Sequence, residues 1–414
     1  MSIKEVLAVP PVQAVALSVQ AAGGRAWLVG GAVRDALLGR VSKDLDLEVH
    51  GLEAEVLQRV LGGLGRPKAV GRSFGVFKVV LAGAELDVGL PRGDSAAGGR
   101  GEVVGDPSLT IEEACLRRDL TINAIAADPL TGELCDPTGG QRDLVARRLC
   151  AVSATRFGDD PLRALRVARF AGVLGFAPDA ELRGLCAVQS LAEVPGERIL
   201  PELEKLLLQA PRPSVGLEVG EQTGVLPQVV GRLDWDGAAV DRAAALSAEL
   251  DQPMERLAVL LAVWLSQHAD VEAVLDRLRL HRSGGVPVRE RVLRLVEWQG
   301  RVTATWGASE LRHAAERVPV RWLLWSAAAL DPTLPWRELW TLAVEAGVGE
   351  GPLPILVRGR DLVAAGVPAG PALGRALTAV REAQLNGTVA TRSEALELAT
   401  AGSRQVGDAD PAGR

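Results

Sequence analysis

The feature that most constrains this chain is a change of pattern near residue 160. Before it, short runs rich in Val and Leu alternate with runs of helical spacing. After it, Leu, Ala, Val, Arg and Glu recur every three or four residues almost to the end. AWLVG (Ala26 to Gly30), DLDLEVHG (Asp44 to Gly51), VFKVVLA (Val76 to Ala82) and ELDVGL (Glu85 to Leu90) read as strands. AVRDALLG and LEAEVLQRVLGGLG read as helices that stop at glycine. The pattern predicts an α+β chain, a mixed α/β domain first and an all-helical part after it. At 414 residues the chain exceeds what one core sustains, so two or more domains are expected.

Composition narrows the classes of function. Hydrophobic residues make up 48% and charged residues 24%, a balance that excludes global disorder. No run approaches the 18 or so apolar residues of a membrane span, and Glu5 near the start with no small-residue cleavage site leads to an expected cytoplasmic location. Cys115, Cys135, Cys150 and Cys186 form no CxxC pair, so neither a disulfide frame nor a structural zinc is expected. His50, His268, His281 and His313 are scattered, and no HExxH or HD spacing occurs; solvated or core histidines are expected. Eight of the nine tryptophans lie between Trp235 and Trp340, where filling seams between helices is their expected role. The net charge of -6 argues against coating nucleic acid by bulk electrostatics, and it leaves room for a local basic groove. One stretch stands apart: Arg142 to Arg169 holds seven arginines against three aspartates. Arginine's planar fork of donors suits phosphate, although clustered arginines are also ordinary solvated surface.

Several segments carry residue types suited to nucleotide chemistry. VGGAVRD (Val29 to Asp35) follows a strand and opens a helix, where adjacent glycines let backbone N–H groups approach a phosphate. Such a turn is equally a purely structural device, and GxGxxG is not met. In DLD, Asp44 and Asp46 sit two apart in a strand and share a face; paired carboxylates repel unless a divalent cation lies between them. Asp87 on a neighbouring strand would add a third, while a lone DxD reads as a solvated strand face. Pro91 to Leu109, dense in Gly, Asp, Pro and Ser, reads as a long mobile loop. Thr110 with Glu113 reads as a capping box, and DPLTGELCDPTGG as a hairpin-like piece. In FGDDPLRALRVARF, Arg163, Arg166 and Arg169 recur every three residues on a helix beginning near Pro161. There, an aspartate before proline is also an ordinary helix cap.

Taken in order, VGGAVRDALLG, DLD, the loop, RRDLTINAIA (Arg117 to Ala126), CDPTGG and FGDDPLRALRVARF closely resemble the signature motifs of the bacterial-type (class II) tRNA nucleotidyltransferase and poly(A) polymerase family. The resemblance covers roughly residues 25–210. It implies a nucleotidyltransferase head of the DNA polymerase beta superfamily over 1–150, with a mixed sheet and helices. A helical neck with a base-selecting motif would follow over 151–215, then a helical body and tail over 216–402 that clamp the acceptor and T arms of tRNA, and a disordered tail over 403–414. By the same resemblance, Asp44 and Asp46 would hold Mg2+, with Asp87 as a further catalytic carboxylate. Gly30, Gly31 and Arg34 would grip the triphosphate; Arg117, Arg118 and Asp119 would organise sugar and phosphates with support from Asn123. Asp160 and Arg163 would select the base, backed by Arg166 and Arg169.

The residue types of that pair make chemical sense. Cytosine and adenine each present an amine donor beside a ring-nitrogen acceptor, which suits a carboxylate next to a guanidinium. Uracil and guanine put a carbonyl where the amine should be, facing the carboxylate with a second acceptor. The implied substrates are therefore CTP, ATP and a tRNA 3' end. Many family members have Glu where this chain has Asp159, and Pro91 to Leu109, in the place of the family's flexible element, is slightly short. With no HD pair, the phosphohydrolase domain of some members is expected to be absent. Full CCA addition is the leading expectation. CC-adding, A-adding and poly(A)-making enzymes share the motifs, a nucleotidyltransferase of small molecules and a non-catalytic RNA-binding protein are the competing classes, and the oligomeric state stays open.

Overall fold

A computed structural model describes residues 1–42, 44–69, 75–94, 103–280 and 287–407. The chain divides into two compact units: residues 1–206 with 215–231, and residues 207–214 with 232–414. The first unit thus takes in both the expected head and most of the expected neck.

Its strands fall within a residue or two of the Val- and Leu-rich runs: β1 (Arg25–Val29), β2 (Leu45–His50), β3 (Lys68–Ala69), β4 (Val76–Leu81) and β5 (Ala84–Gly89). Further along come β6 (Arg92–Asp94), β7 (Val103–Gly105), β8 (Ala126–Ala127) and β9 (Leu134–Cys135). Seven of these form one mixed sheet in the order β3-β4-β5-β2-β1-β8-β9. All neighbours are antiparallel except β2 and β5, which run parallel. Along β2 the pattern alternates: Leu45, Leu47 and Val49 are buried, while Asp46, Glu48 and His50 are half-buried on the opposite face. Trp27, Val29, Ile111, Cys115, Ala124, Ala126 and Cys135 form a core cluster of this unit.

The expected featureless loop is corrected at its ends: β6 and β7 pair as an antiparallel ribbon. Its Gly- and Asp-rich composition hides a ladder built from backbone groups alone. Residues 95–102, between these strands, lie outside the described residues. Thr110 and Glu113 form the expected capping box at the helix Ile111–Cys115. The hairpin-like piece is the β8–β9 pair. Past residue 150 the described elements depart from the all-helical expectation at Ala151, which bridges Leu120, and at β11 (Ala177–Pro178), which pairs in parallel with β10 (Arg148–Leu149).

The elements described in the second unit from Gly237 to Gly407 are all helices, joined by turns and loops. Trp264, Trp322 and Trp325 are buried between its helices, in the seam-filling role expected of them. A second cluster, with Val357, Leu362, Val380 and Ala395, closes the last three helices on one another. The helix Arg392–Gly407 runs into the expected disordered tail; residues 408–414 lie outside the described residues, as does His281. The four cysteines are all free and buried. Among the described residues no helix is long and apolar enough to cross a membrane.

Candidate active site

The site is assembled on the half-buried face of the sheet. Antiparallel register sets Asp46 opposite Val29, and parallel register sets it opposite Asp87; Asp87 in turn stands opposite Lys78. Two carboxylates and one ammonium therefore lie in a single row across three strands. Lys78 Nζ approaches Asp87 Oδ1 at 3.1 Å and Glu85 Oε1 at 2.7 Å. Burial raises the Asp46 carboxyl above the ordinary range; Asp87 and Asp44 add to the rise, against the pull of Arg118 and Lys78. Asp44 is exposed at the entry to β2. Among the described residues no three His, Cys, Asp or Glu side chains close into a ready metal cage. An ion on this row would take further ligands from water or substrate.

The glycine turn faces this row. Gly30 has φ +68°, a left-handed conformation that a side chain resists, and it caps the helix Gly31–Leu37. A Cβ there would lie 3.3 Å from Arg118 Nη1 and 3.8 Å from Asp46 Oδ2. Arg118 donates from Nη2 to Glu48 Oε2 at 3.1 Å, and His50 Nε2 lies 3.3 Å from Glu48 Oε1. A Cβ on Gly31 would meet Arg34 Nη2 at 3.6 Å. A carboxylate, a guanidinium and the backbone of a helix start thus converge on one turn.

From Arg34 a chain of polar contacts runs inward. Arg34 is buried; its Nε donates to Asp35 Oδ1 (2.9 Å) and its Nη1 to Asn123 Oδ1 (2.8 Å). Asn123 Nδ2 donates to Asp119 Oδ1 at 3.1 Å, and the other Asp119 oxygen accepts from Arg166 Nε at 2.8 Å. Burial would raise the Asp119 carboxyl, yet Arg166, Asn123 and the Leu120 N–H outweigh it and hold the group down at about 2. Arg166 and Arg169 both reach Glu202, from Nη1 at 3.5 Å and from Nε at 2.5 Å. The Phe170 ring lies beneath three guanidiniums, those of Arg34, Arg166 and Arg169, at 5.1, 5.5 and 3.9 Å. RRDLTINAIA thereby serves as scaffold, its middle wound into a 3-10 turn at Thr121–Asn123.

CDPTGG secures that turn. Gly139 has φ +74°, and a Cβ on Gly140 would lie 2.1 Å from the Thr121 carbonyl oxygen, so only glycine fits. Asp136 accepts from the N–H groups of Gly140 and Gln141 at 2.7 and 2.9 Å, capping the helix Gly140–Val145.

Asp160 and Arg163 flank the start of the helix Leu162–Leu174, and each is held by other groups. Asp160 Oδ1 accepts from Leu162 N (3.1 Å), and Oδ2 accepts from Arg198 Nη2 (2.8 Å). Arg163 donates from Nη1 to the Arg156 carbonyl (2.7 Å) and from Nη2 to the Arg117 carbonyl (3.0 Å). This links the two motifs that carry Arg117 and Arg163. Of the expected supports, Arg166 and Arg169 are engaged with Asp119 and Glu202. Sequence reading missed Glu48, Lys78, Arg198 and Glu202. Glu202 did leave a signal: it falls in the apolar stripe of Ile199, Leu203 and Leu206 on the helix Gly196–Gln209, and it is buried there.

The head domain and the fold recur in known proteins. Residues 26–150 match the model of the poly A polymerase head domain. A multifunctional CCA protein of Xanthomonas campestris pv. campestris (strain B100) is 43% identical over 216 residues, 50% of this chain and 51% of that protein. One from Ectopseudomonas mendocina (strain ymp) is 40% identical over 243 residues, 56% of this chain and 57% of that protein. The chain spans about half the length of these curated relatives. Among solved structures, the Bacillus stearothermophilus CCA-adding enzyme in complex with CTP superposes with a TM-score of 0.75 at 27% identity, covering 97% of this chain and 100% of that one. The Thermotoga maritima CCA-adding enzyme complexed with tRNA shares the fold at a TM-score of 0.68 and 21% identity, covering 97% and 98%. Residues 26–150 thus match the poly A polymerase head domain, and over nearly its whole length the chain shares its fold with CCA-adding enzymes.

Proposed function

We propose that this protein is a template-independent tRNA 3'-end nucleotidyltransferase that builds or repairs the CCA terminus from CTP and ATP, releasing pyrophosphate at each addition. The observation that carries the reading is the convergence at Gly30 of the Asp46 carboxylate and the Arg118 guanidinium, one suited to a cation and the other to phosphate. Asp44 and Asp46 would hold magnesium. The fit rests on the donor set: hard carboxylate oxygens whose mutual repulsion, felt at Asp46, a divalent cation would relieve. When bound, such an ion supplies charge that eases loss of the primer hydroxyl proton and balances the departing pyrophosphate.

The chain's own residues bind and orient. Asp87 lies beside Asp46 in the row, with Lys78 holding it. Gly30 and Gly31 let the triphosphate approach the helix start, and Arg34, Arg117 and Arg118 grip it. Asp119 and Asn123 fix Arg34 and Arg166 in place. The primer's 3'-oxygen attacks the α-phosphorus, the bond to the β-phosphate oxygen breaks, and pyrophosphate leaves. Asp160 and Arg163 accept the pairing edge of C or A and reject that of U or G. The helical second unit would hold the acceptor and T arms by shape and backbone. The protein would act in the cytoplasm.

The test is incubation of the purified protein with magnesium and tRNA primers ending before CCA, after C and after CC, with each NTP alone and then CTP with ATP. Extension of every primer to CCA is expected, and Asp44→Ala should abolish it. Addition of C only, of the last A only, or of long A tails would instead identify a specialist or a poly(A) polymerase. No incorporation on any RNA would overturn the enzyme reading.

A further inference from the structure

We infer that Arg198 is a positioning residue for base selection, locking the plane of the Asp160 carboxylate so that one set of lone pairs faces the incoming base. The inference rests on the reading of Asp160 and Arg163 as the base-selecting pair. Both Asp160 oxygens are anchored, and on different elements: Oδ1 by the Leu162 N–H at the start of its own helix, Oδ2 by Arg198 from the helix Gly196–Gln209. Each anchored oxygen keeps a second lone pair for a base amine. The torsion that turns an aspartate carboxylate is broad and roughly two-fold, so one anchor leaves the group free to swing, whereas two fix it.

Arg163 is treated alike, with both terminal nitrogens tied to backbone carbonyls of Arg156 and Arg117. A guanidinium has five N–H donors, so this fixed fork keeps donors for the acceptor edge of the base. Selection between C and U depends on an acceptor that cannot turn away when a carbonyl is presented in place of an amine. With Arg198 removed, Asp160 would pivot on its Leu162 bond. It would then hold cytosine less well and tolerate uracil better. Arg198 does not itself touch the base. Its side chain is 51% exposed and that of Asp160 35%, so the pair acts through orientation more than through strength.

The test measures kcat/KM for CTP and for UTP on a tRNA primer lacking CCA, with wild-type protein, Arg198→Ala and Arg198→Lys, each checked for an unchanged melting temperature. The CTP to UTP ratio is expected to fall by about three- to tenfold in Arg198→Ala, the size of one lost hydrogen bond to a charged group in partial solvent. Arg198→Lys, which keeps the charge as a single point donor, should lie between; it carries the comparison should the alanine variant be too unstable to assay. Equal loss of both rates with the ratio unchanged would mean a merely structural role and overturn the inference alone. Wild-type protein that takes CTP and UTP alike would overturn the Asp160–Arg163 reading and the inference with it.

Discussion

Arg166 grips Asp119 with two nitrogens at once, Nε and Nη2, both 2.8 Å from the same oxygen, Oδ2. The carboxylate is 8% exposed and the guanidinium side chain 33%, so the contact joins a buried anion to a partly wet cation. It connects FGDDPLRALRVARF to RRDLTINAIA across 47 positions of sequence.

Removing one partner should therefore cost more than the pair is worth. Arg166→Ala strands Asp119 in the interior, and unfolding in urea should show a loss of about 3 kcal/mol. Asp119→Asn, which keeps the hydrogen-bonding shape without the charge, should lose less. A loss below about 1 kcal/mol in Arg166→Ala would mean the anion finds other solvation.

Acid stability should carry the signature of Asp119. Its folded-state carboxyl sits at about 2 against an ordinary value of 3.8, so the stability it confers is complete above 3.8 and is lost as pH falls toward 2. The difference corresponds to about 2 kcal/mol. Urea midpoints measured between pH 5 and pH 2 should fall more steeply for wild type than for Asp119→Asn.

Asp46 should behave in the opposite sense. A carboxyl held above its ordinary range disfavours the folded state once ionised, so Asp46→Asn should melt no lower than wild type at neutral pH while losing nucleotide addition. Magnesium should raise the melting temperature of wild type and leave Asp46→Asn unmoved. A variant that destabilises the head would show that Asp46 has a packing role instead.

Glu202→Ala should destabilise the protein by about 3 kcal/mol, because Arg166 and Arg169 then lose a shared buried partner. Glu202→Gln should recover part of that loss. Equilibrium unfolding of the two variants separates the loss of charge from the loss of the contact itself.

Gly140→Ala should be among the most damaging single-atom additions in the head, costing about 4 kcal/mol or more, since its Cβ overlaps a backbone carbonyl that cannot rotate away. Expression yield and thermal unfolding check it. Gly132→Ala, at φ +75° with open space around it, should cost only about 1 kcal/mol and serves as the control for backbone strain alone.

The strands and the break to helices were legible because Val- and Leu-rich runs and helical spacing are local properties. DLD and ELDVGL showed where carboxylates would sit, and the parallel β2–β5 register then set Asp46 against Asp87. What was not legible is partnership at a distance. Arg166 and Arg169 look like phosphate ligands in sequence, and their attachment to Asp119 and Glu202 depends on how three separate segments pack. The β6–β7 ribbon was hidden for another reason: its hydrogen bonds are made by backbone, which Gly and Asp supply as well as any residue.

The arginine cluster has a consequence for how an anion would be drawn in. Arg34, Arg166 and Arg169 around Phe170 are matched by Asp35, Asp119 and Glu202, so this cluster is charge-balanced where the chain is folded. A balanced set projects little field beyond its own diameter. Ionic strength should accordingly weigh lightly on nucleotide capture at this cluster, leaving long-range attraction to guanidiniums that only carbonyls hold, Arg163 foremost.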